Sequence, residues 1–136
     1  KFKPKIVFET GVSAGWSSMA ILDASKKNSF GELYSSDFPD QKNLNVEKYT
    51  GILVREKNPK NWTLDINGDD IALNRFIRNI KSNYIDFFHY DSDKTYDGKK
   101  KSFGIFKLAC SEDPSKVSKA YIFTFVLSAL CNAVAK

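Results

Sequence analysis

Cysteine is scarce in this chain: Cys110 and Cys131 are its only two, too few for a disulfide framework. No C-x-x-C pair or Cys/His spacing marks a zinc site, and both thiols are expected to be reduced. Histidine is scarcer still, with His89 alone; on an apolar strand it reads as a core histidine satisfied by its neighbours. A mostly apolar stretch from Ala120 to Ala135 falls short of the ~20 residues that span a bilayer. Thr124, Ser128 and Asn132 interrupt it, so a buried strand running into a helix is expected and no membrane span. The opening Lys1-Phe2-Lys3-Pro4-Lys5 lacks the apolar core of a signal peptide, and a cytoplasmic location is the expectation. Internal repeats and low-complexity tracts are absent, and the 136 residues are expected to form one domain, 1–136.

Charge is in modest excess on one side, with 21 Lys and Arg against 16 Asp and Glu, a net +5. The lysines are scattered apart from the cluster Lys99-Lys100-Lys101. No aromatic-basic repeat or recognition module accompanies them, which argues for a solvated basic face and against nucleic acid. Hydrophobic residues make up 42%, the share of an ordinary globular protein rather than a disordered one.

What the chain does have is alternation. Ile6 to Glu9 reads as a short buried strand, and Ser17 to Lys27 as a helix whose apolar face includes Met19 and Leu22. Leu33 to Asp37 reads as a second strand, Trp62 to Ile66 as a third, Tyr84 to Tyr90 as a fourth and Tyr121 to Leu127 as a fifth. Helices are expected over 71–81 and 97–108, while residues 38–60 read as a long irregular connection in which Gly51-Ile52-Leu53-Val54 packs locally. A polar loop of that length is expected to cover a ligand. Strand-helix alternation predicts a Rossmann-like, doubly wound and mainly parallel α/β sheet of about five strands, with helices on both faces.

The strands end in acids. Glu9, Asp37, Asp69 and Asp91 all fall where the carboxyl edge of such a sheet would lie, which is where ligands bind. An acid after the second strand suits ribose hydroxyls, and Gly11 to Gly15 would turn the chain so that the next helix points its N-terminus at the crevice. Two adenosine cofactors fit this plan. For a nicotinamide dinucleotide the fingerprint is G-x-G-x-x-G, yet Glu9 stands at its first glycine position and would repel a pyrophosphate. A sulfonium with an amino-acid tail tolerates that acid, which favours S-adenosylmethionine.

The chain resembles the class I S-adenosylmethionine-dependent methyltransferases, in the branch that opens E-T-G-V-x-x-G-x-S. The resemblance covers roughly residues 5–108. It rests on Glu9-Thr10-Gly11-Val12-Ser13-Ala14-Gly15-Trp16-Ser17, on Leu33 to Pro39, on Gly51 to Val54, on Trp62-Thr63-Leu64 leading to Gly68-Asp69, and on His89-Tyr90-Asp91-Ser92-Asp93-Lys94-Thr95-Tyr96. It implies that Glu9, Thr10, Gly11, Gly15 and Ser17 border the methionine part of the cofactor. Asp37 would hold the ribose with Phe38 beside the adenine. Gly68, Asp69 and Asp70 would meet the adenine, Asp69 through the amino group, although these acids also suit a helix N-cap. Asp91 and Ser92 would lie near the methionine tail and the reaction centre. The implied activity is methyl transfer to an oxygen or nitrogen of a small molecule, with Asp91, Asp93 and Lys94 shaping the acceptor site.

The pattern departs from relatives that use a divalent metal. Lys94 stands where they carry a catalytic histidine, and Ala129 and Leu130 fall about where they carry an acid pair, so a hard cation would have too few oxygen ligands. The chain also stops before the final antiparallel strands of the full fold. A C-terminally shortened methyltransferase is therefore expected, and its exposed sheet edge would invite a homodimer. The same departures keep open a non-catalytic cofactor-binding or scaffold protein.

Overall fold

The computed structural model describes residues 3–38, 46–79, 85–110 and 121–124, with the backbone alone at 46–47, 106–110 and 121–124. Strand β1 (Ile6–Thr10) lies at the centre of a five-stranded sheet. Beside it run β2 (Glu32–Ser36) and β3 (Trp62–Asp65) on one side, β4 (Phe87–Tyr90) and β5 (Tyr121–Thr124) on the other. The order is β3-β2-β1-β4-β5 and every pairing is parallel. A central parallel strand is covered on both faces and reads as a continuous apolar run. Val7 and Phe8 show this directly, for they point to opposite faces and are both fully buried.

Each face has its own core. Val7 packs with Leu22, Leu33 and Val54, beneath α1 (Trp16–Asn28) and α3 (Ile52–Arg55). Phe8 packs with Leu73, Phe76, Phe88 and Tyr90, beneath α4 (Asp69–Asn79) and α5 (Tyr96–Cys110). The split follows from right-handed crossovers: the chain winds one way from β1 to β3, then returns past β1 to β4 and winds the other way. The reversal between β1 and β4 opens the carboxyl edge between them.

The helices start and stop for local reasons. Gly15 is the N-cap of α1 in a left-handed conformation, and Ser29 ends the helix in another, its N–H turned back to the Lys26 carbonyl. Asp69 and Asp70 occupy the first turn of α4, where the positive end of the helix dipole favours them. The expected α/β architecture is the one observed. Local boundaries differ: the connection from 38 to 60 contains α2 (Val46–Tyr49) and α3, and β4 begins at Phe87 because Asp86 instead turns its carboxylate to the N–H groups of Lys5 and Ile6. Residues 80–84 and 125–136, including Ala129 and Leu130, lie outside the described residues. Among the described residues no helix is long and apolar enough to cross a membrane.

Candidate cofactor crevice

The crevice is built from the turn that follows β1. Gly11 takes φ 77°, and its N–H bonds the Ser36 carbonyl at 2.9 Å. A side chain here would overlap the Asp91 carbonyl, so the absence of a Cβ is what lets the β1 turn and the end of β4 lie wall to wall. The Asp91 N–H in turn bonds the Thr10 carbonyl. Ser13 follows in the left-handed region with φ 49°, uncommon for a residue with a side chain. Its amide explains it: Ser13 N–H donates to Asp37 Oδ2 at 2.7 Å. Asp37 Oδ1 accepts from the N–H of Phe38, so the carboxylate after β2 is fixed between its own backbone and the β1 turn.

The segment from α2 to α3 is attached to the same turn. Gly51 N–H donates to the Ser13 carbonyl at 2.7 Å and Leu53 N–H to the Ala14 carbonyl at 3.2 Å. Gly51 has φ 69° and lies against the Trp62 ring, close enough that a Cβ would collide with it. The result is a cavity of about 780 Å³ over the carboxyl edge. Gly11, Asp37, Phe38, Asp91, Ser92 and Asp93, all singled out in the sequence, line it together. Tyr49, Thr50 and Ile52 line it too. Tyr49 and Thr50 were foreseen only as part of a covering loop, and Ile52 as part of the locally packed Gly51-Ile52-Leu53-Val54 patch within it. The Thr50-Gly51 pair before an apolar triplet was the available signal, but a four-residue helix is too short to show periodicity.

Other predicted residues lie beneath or beside the cavity. Glu9 is fully buried, at the middle of a row that crosses three strands, Ser35–Glu9–His89. Its Oε2 accepts from Ser18 Oγ at 2.5 Å and from Ser35 Oγ at 2.8 Å, and Ser35 Oγ accepts from Trp62 Nε1 at 2.9 Å. Burial alone would raise the Glu9 pKa. The polar groups gathered around it outweigh that, the nearby His89 ring first and then the Ser17, Ser18 and Ser35 hydroxyls, and hold the carboxyl below its ordinary value. Glu9 is thus a charged clamp joining β1, β2 and the first turn of α1. Its other oxygen, Oε1, lies 3.6 Å from His89 Nδ1, and neither atom has a hydrogen-bond partner among the described residues. His89 is buried, as expected of a core histidine, and β-sheet register sets its Nδ1 against the Glu9 carboxylate, just beyond hydrogen-bonding distance.

Asp69 is also buried and accepts from Ser36 Oγ at 2.6 Å. Burial pushes its pKa up despite the Ser36 and Ser92 hydroxyls, and Asp37 and Asp70 push the same way. Gly68, before it, lies against the Phe38 ring. Asp70 pairs with Lys101, and Lys94 pairs with Asp91. Asp93 accepts from the Thr95 N–H at 2.8 Å, which holds its carboxyl below the usual range. Thr10 is buried under the turn, Gly15 sits against Gly51, and Ser17 is half-buried at the start of α1.

A doubly wound sheet, a glycine turn at its reversal point and an acid after β2 are shared by many nucleotide-binding proteins, and fold alone does not separate them. The family model described as a methyltransferase domain matches residues 8–112. The chain belongs to this methyltransferase family. The match begins in β1 and carries through α5, so it takes in the turn, both walls of the crevice and the end of β4. Curated proteins give no match to the chain.

Proposed function

We propose that this methyltransferase domain binds S-adenosylmethionine in the crevice and transfers its methyl group to a small-molecule acceptor. The observation that carries the reading is the Asp37 carboxylate. It stands at the end of β2, lines the cavity and is already oriented by two backbone N–H groups, as a group that receives two ribose hydroxyls must be. The residues present fit such a ligand. Gly11 leaves room for a backbone approach beside Asp91, and Phe38, half exposed and resting over Gly68, offers a flat face for the adenine. Glu9 sits where a pyrophosphate-binding turn needs glycine, and its ionised carboxylate favours a sulfonium over a dinucleotide.

When bound, the cofactor supplies an electrophilic methyl group on a positively charged sulfur. The chain's own contribution is positioning: Asp37 orients the ribose, the turn from Gly11 to Gly15 sets the depth of the tail, and Asp91 and Ser92 border the reacting end. Holding two reactants in line is worth several orders of magnitude in rate.

Calorimetric titration with S-adenosylmethionine and S-adenosylhomocysteine tests the reading. Micromolar binding is expected, weakened by about 1–3 kcal/mol in Asp37→Ala. Absence of heat and of thermal shift at high ligand would contradict it. A second reading, a non-catalytic cofactor-binding protein, draws on the engagement of Lys94 with Asp91 and of Asp93 with Thr95. It predicts binding without release of S-adenosylhomocysteine from any acceptor.

A further inference from the structure

The crevice has two unlike walls. The end of β2 with α2 and α3 supplies Phe38, Tyr49 and Ile52, all exposed, Tyr49 by 60%. The end of β4 supplies Asp91, Ser92 and Asp93. In a chain of net charge +5, three carboxylates line this cavity and, among the described residues, no lysine, arginine or histidine does. Two of the three are already engaged: Lys94 pairs with Asp91, and Asp37 is the group read above as holding the ribose. Asp93 is left, with no ion pair among the described residues. Its side chain is seated on the start of α5. Oδ1 accepts from the Thr95 N–H, and the Asp93 carbonyl accepts from the Tyr90 hydroxyl at 2.6 Å. Gly98, inside α5, faces the same side chain, and a Cβ there would overlap the Asp93 carboxylate and its Cβ. Gly98 keeps an ordinary helical backbone, where glycine is less stable than alanine. Helix geometry does not call for a glycine at this position; room for Asp93 does.

We infer that the acceptor is a weakly basic amine carried on an apolar ring, that Asp93 meets the positive charge its nitrogen gains, and that Gly98 is a positioning residue for Asp93. The inference rests on the cofactor reading above. The neutral nitrogen attacks with its lone pair and bonds the methyl carbon. The carbon–sulfur bond breaks with its electron pair left on sulfur, and the positive charge passes from sulfur to nitrogen. The N–H proton then leaves to water, so no base is needed before the attack. Fixed opposite charge is most effective where charge develops during the step. A phenolate or a carboxylate acceptor would instead meet like charge. A neutral hydroxyl would need a base, and the Asp93 carboxyl, held below the usual carboxylate range by the Thr95 N–H, is a poor one. The wall of Phe38, Tyr49 and Ile52 suits an apolar ring.

The probe is phenyltrimethylammonium, a permanent cation shaped like a methylated product, with N,N-dimethylaniline as its neutral counterpart. Both are titrated into the full chain holding S-adenosylhomocysteine, and binding is followed through the amide signals of Asp93 and Thr95. The cation is expected to bind about fivefold tighter or more, the Coulomb attraction that survives in a solvent-filled crevice. Asp93→Asn should remove that preference. Gly98→Ala should remove it to the same extent, leave S-adenosylhomocysteine affinity within about twofold, and add no further loss when combined with Asp93→Asn. With S-adenosylmethionine, 4-methylaniline should be methylated faster than 4-methylphenol. Equal binding of cation and neutral probe, a preference that survives Asp93→Asn, or methylation of the phenol as fast as the amine would overturn the inference. Additive losses in the double variant would overturn the role of Gly98. If neither acceptor is methylated, the binding comparison decides by itself. If S-adenosylhomocysteine does not bind, the cofactor reading fails alone, and the effect of Asp93→Asn on the cation in the ligand-free chain still decides this one.

Discussion

The turn from Gly11 to Ala14 has two unlike sides. Toward β2 the carboxylate oxygens are engaged: Asp37 takes the amides of Ser13 and Phe38, and Glu9 Oε2 takes two serine hydroxyls. Toward β4 the walls are mostly apolar, and Glu9 Oε1 and His89 Nδ1, 3.6 Å apart, have no hydrogen-bond partner among the described residues. One side is finished before any ligand arrives and the other is not. The difference has a physical reading. A group that holds a cofactor benefits from being fixed in advance, since the ordering cost is then met in folding.

The sharpest way to break the contrast is to remove the turn that creates both sides. Gly11→Ala places a Cβ into the Asp91 carbonyl at a φ of 77°. The expected outcome is loss of S-adenosylhomocysteine binding below calorimetric detection, together with about 1–3 kcal/mol of stability from the backbone conformation alone, read by denaturant unfolding. Next in size, Glu9→Ala strips the clamp from Ser18 and Ser35 and should cost about 2–4 kcal/mol of stability. Glu9→Gln, which keeps an acceptor oxygen, should cost less.

The same carboxylate gives a pH signature. The pKa of Glu9 is lower in the folded chain than the ordinary 4.5, so the unfolded state binds the proton first on acidification. The stabilisation is complete above about pH 4.5 and disappears as the pH falls through the lower folded value. In Glu9→Gln that part of the acid destabilisation should be missing from an unfolding series between pH 5 and about pH 3. The smallest effect expected is at the rim. Trp16→Ala, at an exposed position in the first turn of α1, should change stability by no more than about 0.5 kcal/mol and leave S-adenosylhomocysteine affinity unchanged. A loss of S-adenosylhomocysteine affinity in Trp16→Ala would erase the distinction between the two sides.

Much of the crevice was legible in the sequence. A strand, two glycines and a helical pattern in succession mark a turn at a carboxyl edge, and Asp37 follows the second strand by the same logic. Strand alternation even carries part of the buried network, since Val7 and Glu9 share a parity and so a face. What could not be read is which strand lies beside which. Glu9 meets Ser35 and His89 only because β1 is paired in register with both β2 and β4, contacts that span 26 and 80 residues of chain. His89 therefore read as an ordinary core residue. Tyr49, Thr50 and Ile52 were hidden for another reason: helices of four residues leave no periodicity, and hydrogen bonds to Ser13 and Ala14, not local propensity, place them in the crevice wall.

The most direct test of a two-sided turn is where the cofactor lands. Nitrogen–proton spectra of the chain would be recorded with and without S-adenosylhomocysteine, the Trp16 indole signal being assigned with Trp16→Phe. The prediction is that the ligand moves the amides of Ser13 and Phe38, on the side toward β2, and leaves the Trp16 indole in place. Movement of the Trp16 indole with the Ser13 and Phe38 amides unmoved would contradict it.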